Sequence, residues 1–227
     1  MSEITIWNDE SRENLRETLR NQILGEVRLA NSDHNDILDI CREVINDESP
    51  EDERDAFVRY AAEQLEQAAA MLGAEQATWP RETDCGRLDR AEAALRDRGI
   101  VLWQVSPCCD TCTTGELYEH IEEIDQRYPG FGERVRGYAF FIDQNMAEML
   151  AESTRLTVYL GYGWLYPDNL DVSRDLYEKN ALGIAQEVCD CLRQHGFEPR
   201  WNGDFSKKIG LSLDWKRRAV AGTTSDD

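Results

Sequence analysis

The sequence is short of positive charge: 25 Lys and Arg stand against 45 Asp and Glu, a formal net charge of −20. A surface this acidic repels nucleic-acid phosphates and anionic lipid headgroups, so neither nucleic acid nor membrane is expected as a partner. Long apolar runs are also missing. Stretches such as Tyr138–Ile142 fall well below the roughly 20 residues that span a bilayer. The first ten residues are acidic and contain no basic start followed by an apolar run, so no secretory signal is expected. The seven cysteines are an odd number, which excludes a fully paired disulfide framework and suits reduced thiols in a cytoplasm. The three histidines show no H-x-x-x-H spacing, and no serine sits in a nucleophile elbow. Gly161-Tyr162-Gly163 is followed by no third glycine and reads as a turn rather than a phosphate loop.

What is present is an ordinary globular composition, 41% hydrophobic and 9% aromatic in 227 residues. That suffices for one core, or for a helical module beside a mixed one. The charge is uneven. Residues 1–79 carry 7 basic and 19 acidic side chains, residues 80–132 carry 6 and 11, and residues 133–227 carry 12 and 15. The N-terminal third therefore holds most of the negative field, which serves solubility and also suits a basic protein partner.

Helical periodicity opens the chain. Ser11 is a candidate cap for Leu15, Leu19, Ile23, Leu24 and Val27, and Asp33 or Asn35 for Ile37, Leu38, Cys41, Val44 and Ile45. Ser49-Pro50-Glu51-Asp52 predicts the start of a third helix running through Phe57, Tyr60, Ala61, Leu65, Ala68 and Leu72. A fourth helix is expected from Thr83 or Asp84 to Gly99, then a buried strand at Ile100–Val105 and a short helix around Leu117, Ile121 and Ile124. Strands at Gly137–Ile142 and Leu156–Gly161 enclose a short helix at Gln144–Ala151, and a long helix covers Arg174 to His195. Phe197–Trp201 and Lys207–Leu213 flank Asn202-Gly203 as a hairpin, with Pro199 marking an edge or a bulge. The expectation is an α+β fold, with an N-terminal helical module followed by a mixed or antiparallel sheet carrying helices on one face. Its divisions are an acidic helical module at 1–78, an α+β domain at 79–218 and a disordered tail at 219–227.

Specific segments also match a known pattern. They are Trp79-Pro80, Thr83-Asp84-Cys85 with Arg87-Leu88-Asp89, Arg98-Gly99-Ile100-Val101, and Cys108-Cys109 with Cys112. Arg136-Gly137-Tyr138, Trp201-Asn202-Gly203 and the block Leu213-Asp214-Trp215-Lys216-Arg217-Arg218 complete it. Over about residues 78–218 the chain resembles a bacterial family described as a domain of unknown function. Gly86 and Thr113 depart from the pattern, and Tyr162–Asn180 is longer than its counterpart. The resemblance implies the domain and brings no activity with it.

The constellation with obvious chemistry is Cys108-Cys109-x-x-Cys112. Two thiolates at C-x-x-C spacing can face one ion, so Cys108, Cys109 and Cys112 with Cys85 are candidate zinc ligands, and Asp84, Asp89 and His120 are substitutes. A second complete C-x-x-C, which would make that reading specific, is absent. A C-x-x-C at a strand-to-helix junction equally suits redox chemistry by Cys109 and Cys112, although Asp110 beside them opposes thiolate formation. Simple packing in a tight corner is the third reading. Cys41, Cys189 and Cys191 lie on helices and are expected to pack. Lys207, Lys208, Lys216, Arg217 and Arg218 gather near the C-terminus, to grip a phosphate or a partner's carboxylates or, preferably, the chain's own acidic helices. Trp164, Tyr166 and Tyr177 are candidates for a contact surface. The leading expectation is a non-enzymatic binding or regulatory protein of the immunity or inhibitor kind, recognising a basic protein. The alternative is a thiol-dependent redox enzyme.

Overall fold

The computed structural model describes residues 7–107, 109–166 and 171–218. The fold is α+β. Its elements are α1 (Asp9–Leu29), α2 (His34–Glu48), α3 (Arg54–Thr78), α4 (Asp84–Asp97), β1 (Ile100–Ser106), α5 (Asp110–Arg127), β2 (Gly137–Ile142), α6 (Met146–Glu152), β3 (Arg155–Trp164), α7 (Arg174–Gln194) and β4 (Ile209–Asp214). No helix of the described residues is long and apolar enough to cross a membrane. The chain divides into two compact units, one holding α1–α3, α6 and the segment from Trp215, the other holding α4, α5, α7 and the sheet.

In the first unit, apolar side chains recurring every three to four residues form one stripe per helix. Leu15, Leu19, Ile23 and Val27 of α1 meet Ile37, Cys41 and Ile45 of α2, and Phe57, Ala61, Leu65 and Leu72 of α3. Asn8 caps α1 with its side chain on Ser11 N, and Asp33 caps α2 by accepting from Asn35 N and Asp36 N. The third helix begins later than Ser49-Pro50 suggests. Ser49 is the C-cap of α2, residues 51–53 form a turn, and α3 starts at Arg54. Glu53, at that start, accepts from Arg12 Nη2 at 2.5 Å and from Trp7 Nε1 at 2.7 Å.

α6 lies against α1, and the approach is so close that Gly25 has no room for a side chain. A Cβ there would sit 1.9 Å from the Ala147 carbonyl oxygen. Trp215, 1% exposed, closes the same region. Its indole N–H donates to the carbonyls of Arg28 and Leu29, at 3.2 and 3.3 Å, which are among those left over at the end of α1.

The sheet of the second unit has the order β1-β2-β3-β4. β1 and β2 are parallel and joined through α5, while β2–β3 and β3–β4 are antiparallel. β3 serves both neighbours: Gly161–Trp164 pair with β2, and Arg155–Leu160 pair with β4. Side-chain alternation along a strand sends Gly137 toward Ile184 of α7, while Val101 on the other face packs with Leu117 and Ile121 of α5. α4 shares the α7 side, where the Cys191 thiol approaches the Ala91 carbonyl at 3.6 Å. The expected covering of one face therefore describes α4 and α7, and α5 occupies the other. The expected strand at Phe197–Trp201 reduces to a single bridge between Arg200 and Gly210, and Pro199 beside it has no N–H to extend the ladder.

Candidate functional site

The cysteine loop sits where β1 runs into α5, and the strand end beneath it is irregular. Trp103 pairs with Phe140 but Ser106 pairs with Ile142, so three steps along β1 face two along β2. Val105 takes up the extra residue with φ of +54°, a left-handed conformation that a β-branched side chain adopts only under constraint. Backbone held in this way is found where a loop must be aimed.

The constraint comes from two fully buried hydroxyls. Ser106 Oγ lies 3.0 Å from Thr113 Oγ1 and donates to the Phe141 carbonyl at 3.2 Å. Thr113 Oγ1 in turn reaches the Pro107 carbonyl at 3.4 Å. The strand end, the loop and the first turn of α5 are thereby tied together from below. Thr113 supplies half of that tie.

Above it, Cys109 is the N-cap of α5 and Cys112 lies in the first turn, both half-buried. Their sulfurs are 3.5 Å apart, well outside the ~2.0 Å of an S–S bond and close enough to reach it with a small side-chain movement. The positive end of an 18-residue helix favours negative charge at these positions. Asp110 would work against this, but Lys208 Nζ holds its carboxylate at 2.6 Å. One of the C-terminal cations thus sits on the acid that follows Cys109.

The other metal candidates are placed differently. Cys85 is 2% exposed in the first turn of α4. Asp84 binds Arg87 at 2.6 Å and accepts the Asp214 N–H at 2.9 Å, and Asp89 accepts from Gln104 at 3.1 Å. His120 stacks on Trp103 with ring centroids 4.1 Å apart and lies 3.5 Å from Glu123. Burial lowers its pKa, against the opposing pull of Glu123. Cys108 lies outside the described residues, as does the tail at 219–227. Among the described residues, no three of His, Cys, Asp and Glu are grouped to hold a metal ion.

Cys41, Cys189 and Cys191 are buried, and burial pushes the thiols of Cys41 and Cys189 up to about 11, which keeps them protonated and inert. Of the terminal cations, Arg218 turns to the carbonyls of Gln76, Trp79 and Pro80, and Arg217 lies over the Trp215 ring. Trp164, Tyr166 and Tyr177 form a ring cluster with centroids 5.2–6.3 Å apart. Ser106 and Val105 carry no signal in the sequence, and Lys208, expected on a phosphate or on the chain's acidic helices, is found on Asp110 of α5. Lys208 is 98 positions from its partner, and no local spacing could reveal it.

Comparison with known families gives one match: the model described as "Domain of unknown function (DUF6891)" covers residues 12–219, the acidic helices included. No curated protein and no solved structure matches the chain.

Proposed function

We propose that this chain, which belongs to the DUF6891 family, carries out thiol–disulfide exchange through Cys109 and Cys112. The observation that carries the reading is the 3.5 Å separation of the two sulfurs in the first turn of α5. The Cys109 thiolate attacks one sulfur of a substrate disulfide, and the other substrate sulfur leaves as a thiolate and takes up a proton. Cys112 then loses its proton and attacks the Cys109 sulfur of the mixed disulfide, releasing the second substrate thiol. Two electrons pass to the substrate, and a dithiol donor returns the Cys109–Cys112 disulfide to the reduced state. A reducing, cytoplasmic setting accompanies this chemistry.

The test mixes prereduced protein with 2-hydroxyethyl disulfide, counts the thiols released and maps the product. A Cys109–Cys112 bridge is expected. Cys112→Ser should stop at a mixed disulfide on Cys109, and Cys109→Ser should not react. Intact protein whose thiols stay unreacted would overturn the reading. About one zinc per chain with the thiols protected would replace it with a structural metal site on Cys85, Cys108, Cys109 and Cys112.

A second reading is favoured by the charge of −20, concentrated in residues 1–79. On it the protein is a non-enzymatic regulator, of the immunity or inhibitor kind, that captures a basic protein. Such a complex would weaken steeply with salt. A complex indifferent to ionic strength would count against it.

A further inference from the structure

Two thiols this close can also share one soft atom, and their separation selects which kind. At a bond length like the about 2.3 Å of a zinc–thiolate, sulfurs 3.5 Å apart subtend about 100° at a common centre. A linear two-coordinate centre, such as cuprous ion, needs its sulfurs on opposite sides, about 4.6 Å apart at the same bond length. Zinc closes a tetrahedron with four donors, and among the described residues no three of His, Cys, Asp and Glu are grouped to hold an ion. Trivalent arsenic suits the pair better. Its lone pair keeps its three bonds near right angles to one another. When an organic group holds one of them, two remain for sulfur.

The pair is also held in place before any ligand arrives. Thr113 N donates to the Cys109 carbonyl at 2.9 Å, which closes the first turn of α5 and fixes the two thiols on it. The Thr113 hydroxyl is anchored in turn by Ser106 Oγ at 3.0 Å. Both thiols are half-buried and can be reached from solvent, whereas Cys41, Cys85, Cys189 and Cys191 are buried. The positive end of α5 favours the thiolates that make the bonds. With both sulfurs on one rigid turn, the second bond forms within the molecule, which raises affinity roughly a hundredfold or more over a single thiol.

We infer that Cys109 and Cys112 form a capture site for trivalent organoarsenicals. With an aryl arsine oxide, two arsenic–sulfur bonds form and the arsenic–oxygen double bond breaks. The oxygen leaves as water, taking both thiol protons, and arsenic stays trivalent. No electrons pass, so capture does not depend on thiol–disulfide exchange, although a bound arsenical occupies the sulfurs that exchange would use.

The test adds phenylarsine oxide to the prereduced full chain and follows intact mass and digested peptides. One phenylarsenic group per chain is expected, gained with loss of one water, on a peptide bridged from Cys109 to Cys112. A competing small dithiol should release it. Cys109→Ser and Cys112→Ser should each weaken capture by roughly a hundredfold. If a serine variant loses its helical circular dichroism, the bridged peptide of the parent decides. A folded parent that stays unmodified, an arsenic bridge through any other cysteine, or capture unchanged in a folded Cys112→Ser would overturn the inference. Exchange without capture removes this inference alone, and capture without exchange removes only the redox reading.

Discussion

Replacing Gly25 by alanine tests the closest approach in the fold. In a helix interior this exchange ordinarily stabilises by about 1 kcal/mol, because glycine has more conformational freedom to lose. Here the new Cβ would stand 1.9 Å from the Ala147 oxygen, 2.5 Å from its carbonyl carbon and 2.9 Å from its Cα. An ordinary carbon–oxygen contact is about 3.3–3.6 Å, so a gap of roughly 1.4 Å must open between α1 and α6. Both obstacles are backbone, and neither can rotate away. α6 is anchored by Met146 and Leu150, 1% and 0% exposed, so moving it loosens packing that is otherwise complete. Overpacking of this kind costs about 1–3 kcal/mol, and this overlap belongs at the upper end. After the gain of about 1 kcal/mol, the net loss is about 2 kcal/mol, a fall in Tm of about 4–8 °C for a chain of this size. Gly183 on α7 is the control, because a Cβ there meets nothing within 4 Å. Gly183→Ala should raise Tm by about 2–4 °C. Thermal melts followed by circular dichroism read both. A Gly25→Ala protein that melts at or above the parent would refute the α1–α6 contact.

The remaining predictions concern the dithiol and the buried polar groups. Cys109→Ser should abolish exchange with a small disulfide and leave the melting curve in place, whereas a structural thiol would lose stability instead. Ser106→Ala strips a buried partner from Thr113 and from the Phe141 carbonyl, and should cost about 1–3 kcal/mol in denaturant unfolding. An unchanged midpoint would argue against the tie beneath the loop. Glu53 is held at about 2, below its ordinary value of 4.5, chiefly by its hydrogen bonds from Arg12 and then from Trp7. Its folded form binds a proton less readily than the unfolded chain, so its contribution is complete above 4.5 and disappears as pH falls toward 2. Glu53→Gln should flatten the acid limb of the stability curve over that window, and a limb identical to the parent's would show that other carboxylates set it.

Period, cap and punctuation determined most of the elements. The faces of α1, α2 and α3 follow from apolar spacing alone, because burying a stripe is a local demand that each helix writes into its own residues. The α+β class, the C-x-x-C at a strand-to-helix junction and the inert character of Cys41 were legible for the same reason. The apolar positions Leu117, Ile121 and Ile124 predict only a short helix, yet α5 runs from Asp110 through Thr111, Thr113, Thr114 and Gly115, which are weak helix formers. The start of α3 shifted because Glu53 is engaged by Arg12 and Trp7, 41 and 46 positions away. Only the tertiary structure brings α6 against Gly25, turns Val105 into a left-handed bend and sets Lys208 on Asp110. Those features arise from contacts between residues far apart in the chain, and such contacts leave no periodic trace in the sequence. The chemistry of two thiols is written in Cys109 and Cys112 themselves. Their separation, and the cation that offsets the acid between them, come from how the sheet and α5 are packed.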